Sequence, residues 1–169
     1  MTTAERREAP RTADERTSLE GWLDFHRETL ALKCEGLDDK QLREATAPPS
    51  GLTLLGLVRH MAEVERSWFR RVLDGQEAPP IWYSEEDPDG DFRVTGADTG
   101  DAAFAIWRDE VAEARTAAAG HSLDEVVTRR DGRGEYNLRW IYLHMIEEYA
   151  RHNGHADLIR ERIDGVTGD

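Results

Sequence analysis

The sequence predicts an all-α protein, a four-helix bundle folded as one domain. Three observations predict it. Four long segments carry apolar residues at alternating steps of three and four. Strand-type alternation is scarce, and the proline and glycine breaks fall between those segments. At 169 residues the chain is one domain by length. A chain of this size buries roughly 70% of its unfolded surface.

Residues 1–16 are polar, charged and nearly free of large apolar groups. They predict a mobile N-terminal arm ahead of a single bundle domain over 17–169. The first helix is read from Leu19, Trp22, Leu23, Phe25, Leu30 and Leu32 up to Cys34, with Gly36 as its stop. A short helical turn over Asp38–Glu44 follows, and Pro48-Pro49 breaks the chain. Ser50 or Thr53 caps the second helix. Its seam is Leu54, Leu57, Met61, Val64, Trp68 and Val72, and Asp74-Gly75 ends it.

Residues 75–98 hold the turn signals Pro79-Pro80, Pro88-Asp89-Gly90 and Gly96, together with Glu85, Glu86, Asp87, Asp89 and Asp91. A connection this long in a compact domain crosses over a bundle or covers a site. The third helix is read from Asp101 to Ala119, with Phe104, Trp107, Val111, Ala114 and Ala118 as its seam and Gly120 as its stop. Ser122–Val127 reads as one turn, and Arg129–Gly134 as a loop or hairpin tip. Asn137 caps the fourth helix, which runs from Leu138 to about Ile163 and is closed by Asp164-Gly165.

The charge excludes some functions. There are 22 basic and 35 acidic residues, a formal net charge of −13. Such a chain lacks the basic footprint that phosphate neutralisation needs, so nucleic acid is not an expected partner. Docking on anionic membranes is disfavoured for the same reason. No apolar run approaches the ~20 residues that span a bilayer. The N-terminal stretch has no apolar core of a secretory signal. Cys34 is the one cysteine, which suits a reducing compartment. The expectation is a soluble, acidic, cytoplasmic protein.

The informative irregularity lies on the fourth helix. Its seam reads Leu138, Ile141, Met145, Glu148, His152, His155, Ile159. Three polar residues stand in register between apolar ones. A bundle core does not bury a carboxylate without a partner, and a metal ion would supply one. His144, four before Glu148, lies at the edge of the stripe. On the second helix His60 sits three after Leu57 and four before Val64, at the core-facing edge. If the two helices are neighbours, His60, Glu148 and His152 meet. Two imidazoles and a carboxylate suit Zn²⁺ best, with Ni²⁺, Fe²⁺ or Mn²⁺ as alternatives. Three protein ligands leave a coordination position open, the mark of a catalytic site.

Plainer readings exist for the same residues. His60 alone reads as a half-buried histidine bonded to a neighbour, and Glu148 and His152 can pair with each other. His26, four after Trp22, faces the core, and His121 reads as a cap or surface group. Trp22, Trp68, Trp107 and Trp140 read as packing residues. Gly154, inside the fourth helix, suggests a close helix contact. Cys34 has no base near it in sequence.

The stretch LRWIYLHMIEEYARHNGHADLIRERIDG (138–165), with LTLLGLVRHMAEVERSWF (52–69), resembles the DinB-like superfamily, in particular its DUF664 branch. The resemblance covers nearly the whole chain beyond the N-terminal arm. It implies an up-down-down-up (DinB/YfiT-like) four-helix bundle with a long connection between helices two and three. It also implies a metal triad of one histidine on the second helix and two ligands on the fourth. Many such proteins carry histidine where this chain has Glu148. The His, Glu, His set resembles the branch that contains mycothiol-dependent maleylpyruvate isomerase. On that match His60, Glu148 and His152 are the ligands. His155 falls where relatives often carry glutamine or histidine, and is expected beside the metal or as an additional ligand.

The activity implied is a metal-dependent thiol S-transferase or isomerase, with a low-molecular-weight thiol such as mycothiol and an electrophilic substrate as small-molecule partners. Only Lys33 and Lys40 are lysines among the basic residues. That bias fits a GC-rich actinobacterial source, in which mycothiol is the thiol. Arg59, Arg139 and Arg151 are candidates to orient an acidic substrate. Metal-assisted hydrolysis, with Glu147 or Glu63 as general base, is the alternative chemistry. A non-enzymatic bundle with a vestigial metal site is the other alternative. Dimerisation is common in that superfamily, and an acidic chain with many aromatics permits a homodimer.

Overall fold

The structure is a computed structural model that describes residues 6–168. It is mostly helical. The elements are α1 (Glu15–Cys34), α2 (Asp39–Leu42), α3 (Leu54–Glu65) with its π-helical continuation Arg66–Leu73, α4 (Gly100–Ala119), a hairpin of β1 (Val126–Thr128) and β2 (Glu135–Asn137), and α5 (Leu138–Asp164). Among the described residues no helix is long and apolar enough to cross a membrane.

The caps follow from residue chemistry. Asp14, Asp38, Thr53, Thr99 and Asn137 each accept a hydrogen bond from a first-turn amide that the helix leaves unpaired. Gly165 ends α5 at φ 80°, a left-handed conformation that costs glycine little. α1 therefore starts four residues earlier than its apolar pattern suggests, because the cap and not the seam sets the boundary.

One core joins the four long helices. α1 packs on α5, α3 on both α4 and α5, and the π-helical segment on α4. Leu23 and Leu30 meet Leu54, Leu57, Met61, Phe69, Leu138, Ile141, Met145 and Ile159, all buried. A buried polar cluster threads this core. Arg27 of α1 donates Nε and Nη2 to the two carboxylate oxygens of Glu65 on α3, both at 2.8 Å. Tyr149 of α5 donates its hydroxyl to Glu65 at 2.8 Å, and Trp107 of α4 donates Nε1 to the Tyr149 oxygen at 2.8 Å. Each long helix contributes one member. Burial works against the Arg27 cation, but the Glu65 carboxylate more than offsets it and raises its pKa.

The seam of α3 departs from simple periodicity after Glu65. The turn widens, and the Asp74 amide bonds the Phe69 carbonyl five residues back at 3.1 Å. The widening buries Phe69, Val72 and Leu73 and leaves Trp68 at the edge. Arg66 and Arg70 of this segment both reach Glu110 of α4.

Two expectations change in the details. Val126 and Val127, the end of the stretch read as a turn, belong with Thr128 to a strand paired antiparallel with β2, Val127 opposite Tyr136. Its β-branched residues suit that pairing. Of the segment read as a mobile arm, residues 1–5 lie outside the described residues, while residues 6–14 run along α1. Arg7 pairs with Glu28 at 2.7 Å and Ala9 is buried. Gly21 makes room for this: a Cβ there would lie 2.4 Å from Pro10 Cδ.

A candidate metal centre between two helices

The long connection 75–98 lies over α3 and is tied to it by buried side chains. Glu63 accepts hydrogen bonds from the backbone amides of Ile81 at 2.6 Å and Trp82 at 2.7 Å. Arg59 donates to the carbonyls of Gly90 at 2.9 Å and Arg93 at 3.2 Å, and pairs with Asp98 at 3.3 Å. Its guanidinium also lies 4.9 Å from the Trp82 ring centroid. Gly90 allows the connection to fold on itself, since a Cβ there would sit 2.2 Å from the Trp82 carbonyl oxygen.

These ties deliver Asp91 and Phe92 to His60. Asp91, only 5% exposed, sets Oδ2 2.7 Å from His60 Nδ1. Phe92 stacks on the His60 ring with centroids 4.6 Å apart. With Nδ1–H donated to Asp91, His60 presents Nε2 to α5. Glu148 Oε2 lies 4.0 Å from that nitrogen and 3.5 Å from His152 Nε2. One donor atom from each of His60, Glu148 and His152 lies within 4.8 Å of the others. Four ligands at ordinary zinc distances around a tetrahedral ion stand about 3.4 Å apart. The donor set and its spacing therefore fit a divalent cation.

Burial, with His60, His155 and Arg151 nearby, pushes the His152 imidazole down to about 4. It is neutral at pH 7 and has a lone pair to give. His155 Nδ1 lies 3.3 Å from His152 Nδ1. His155 thus holds the far side of the His152 ring, as Asp91 holds that of His60.

His144 stands outside the trio. Its Nε2 lies 3.7 Å from Glu148 Oε1, and with Glu147 and Glu148 it forms a second group of converging donors. Its ring stacks on Trp140 at 5.0 Å and meets Trp68 edge-on at 4.7 Å. Tyr136 of β2 closes the cluster against Trp68 at 5.2 Å. Trp68, partly buried against the core as read, also forms with the exposed Trp140 an aromatic rim beside His144. Trp140 is 43% exposed and Trp22 48%, while Trp107 is in the core.

The other residues singled out in the sequence lie outside the trio. Glu63 gives Oε1 to two amides, while its Oε2 is buried without a hydrogen bond. Arg59 anchors the connection, Arg139 binds Glu15 and Asp124, and Arg151 pairs with Glu147. His26 contacts Asn153 and lies outside the trio, and His121 pairs with Asp74 and Glu125. Gly154 meets no neighbour: a Cβ there would have nothing within 4 Å. Cys34 is buried, which pushes its thiol up to about 12. The sequence offered no sign that Asp91, rather than Glu85, Glu86, Asp87 or Asp89, would reach His60.

A mostly helical chain with two imidazoles and a carboxylate converging between helices defines a class of proteins with a candidate metal centre in a helical core. Within that class the family is shown by the sequence. The mycothiol-S-transferase family model matches residues 18–165, and the chain belongs to that family. No individual curated protein matches it.

Proposed function

We propose that this protein is a divalent-metal-dependent thiol S-transferase or isomerase that uses mycothiol, with His60, Glu148 and His152 as its metal ligands. The meeting of these three donors from α3 and α5 carries the reading. Family membership supports the choice of thiol. Zn²⁺ is the favoured ion on donor chemistry, ahead of Ni²⁺, Fe²⁺ and Mn²⁺. A bound cation would lower the pKa of a thiol and supply a thiolate at neutral pH.

The protein's own groups prepare that chemistry. Asp91 fixes the tautomer of His60 and makes Nε2 the ligating atom. His155 does the same for His152. Phe92 covers the His60 ring, and Trp68 and Trp140 pack on each other beside the site. An electrophilic small molecule is the second substrate. The helix pairings support a DinB-like up-down-down-up four-helix bundle. A cytoplasmic location goes with a thiol that must stay reduced.

Hydrolysis asks for a free carboxylate base. Glu147 is bound to Arg151, and Glu63, with Oε1 held by two amides, keeps only Oε2 for that role. The test is metal analysis after chelator-free purification, paired with mycothiol conjugation and hydrolysis assays, on wild type, His60→Ala and His152→Ala. About one equivalent of metal and conjugation activity are expected in wild type, both lost in the variants. A metal-free wild type, or unchanged metal in both variants, would defeat the site. Metal without conjugation of any electrophile would defeat the transferase reading and favour a non-enzymatic role.

A further inference from the structure

The helix face that carries His60 continues to Ser67 and Arg71. A cavity of about 220 Å³ lies against His60 and Asp91 and is lined by Ser67, Trp68 and Tyr83. A larger cleft of about 480 Å³ opens between this helix and the hairpin tip, against Arg71, Arg129 and Arg130. Ser67 lines both. Arg71 joins them as well, because its Nη2 donates to the Tyr83 hydroxyl at 2.8 Å.

Two of the three arginines in the cleft are neutralised. Arg129 lies 3.0 Å from Asp131, and Arg130 3.4 Å from Glu77. Arg71 has no carboxylate partner among the described residues, and its Nε is buried without a hydrogen bond. In a chain with 35 acidic side chains, a cleft with one surplus guanidinium is a departure from the prevailing charge. A guanidinium without a carboxylate partner is suited to an oxyanion. Arg71 lies eleven positions after His60, at most about 16 Å along the helix at ~1.5 Å per residue. A small extended molecule spans that distance.

We propose that this cleft binds the carboxylate or phosphate of a small acidic electrophile, with Arg71 as its principal contact, while the reactive end lies beside His60, Glu148 and His152. The position of the reactive end rests on the transferase reading. The anion cleft stands on the surplus cation of Arg71 and does not depend on that reading.

The experiment is isothermal titration calorimetry with 4-chloro-3-nitrobenzoate, inorganic phosphate and uncharged 1-chloro-2,4-dinitrobenzene. The proteins are wild type, Arg71→Gln, Arg71→Lys and His60→Ala. Wild type is expected to bind at least one of the two anions more tightly than the uncharged probe. Arg71→Gln should weaken that binding about ten-fold or more, and Arg71→Lys should restore part of it. The tighter anion names the group. His60→Ala should keep the binding, even if mycothiol conjugation fails in every protein. Absence of anion binding in wild type overturns the proposal, as does wild-type binding in Arg71→Gln. Loss of binding in His60→Ala, with Arg71 intact, would move the anion to the metal centre and overturn it too.

Discussion

Asp91 Oδ2 and His60 Nδ1 are 2.7 Å apart, although 31 residues separate them in sequence. A buried carboxylate from an irregular connection thereby sets the tautomer of a helical histidine. The arrangement depends on Arg59 and Glu63, which tie that connection to the same helix.

Asp91→Ala should lower metal affinity by roughly 10–100-fold, the range for loss of a carboxylate behind a ligating histidine. Competition against a chelating dye measures it. Asp91→Asn should fall between the two if the carbonyl oxygen still accepts from Nδ1–H. Wild-type affinity in both variants would show that Asp91 does not position His60.

The Arg27–Glu65 pair is buried, with Arg27 5% and Glu65 0% exposed. Glu65→Ala strands a guanidinium in the core and should cost about 3–5 kcal/mol. The double variant Arg27→Met, Glu65→Leu removes both charges and should recover most of that loss. Urea unfolding reports both. A single variant within 1 kcal/mol of wild type would contradict the burial argument.

Gly154 is exposed within α5, and a Cβ there meets nothing within 4 Å. Gly154→Ala should stabilise the protein by about 0.5–1 kcal/mol through helix propensity alone. A lower urea midpoint in the variant would reveal a contact partner at this surface.

Cys34 is 5% exposed, and burial holds its thiol near 12. At pH 8 it should react with a disulfide reagent only as fast as the protein unfolds. Addition of urea should release one thiol per chain. Rapid labelling of the folded protein would refute this.

Burial, helped by the Arg6 cation, lowers the His26 pKa below its usual 6.5. The unfolded chain therefore binds this proton more readily. The contribution to stability is complete above pH 6.5 and is lost as pH falls below it. Urea midpoints should decline from pH 7.5 to 5.0, and His26→Gln should flatten part of that decline. An identical profile in wild type and His26→Gln would assign the effect elsewhere.

The sequence by itself pointed to the long helices and to the three residues of the trio. Apolar steps of three and four name the faces of α4 and α5, and Thr53 and Asn137 cap their helices as side-chain chemistry requires. Glu148 and His152 were legible because a polar pair inside an apolar seam is locally anomalous. His60 was legible because its neighbours Leu57 and Val64 fix its direction. These are signals of short range, carried by residues within two turns of one another.

Tertiary structure decided the rest, because the remaining partners depend on where the chain goes between helices. Five acidic residues between 85 and 91 look alike in sequence, and only the path pinned by Glu63 and Arg59 sends Asp91 to His60. The widened turn after Glu65 moved Trp68 out of the seam and onto Trp140 and His144. The Arg27–Glu65–Tyr149–Trp107 cluster needed all four long helices to be assembled before any member had its partner. Periodicity records which way a side chain leaves its helix, and contact requires knowing what stands opposite.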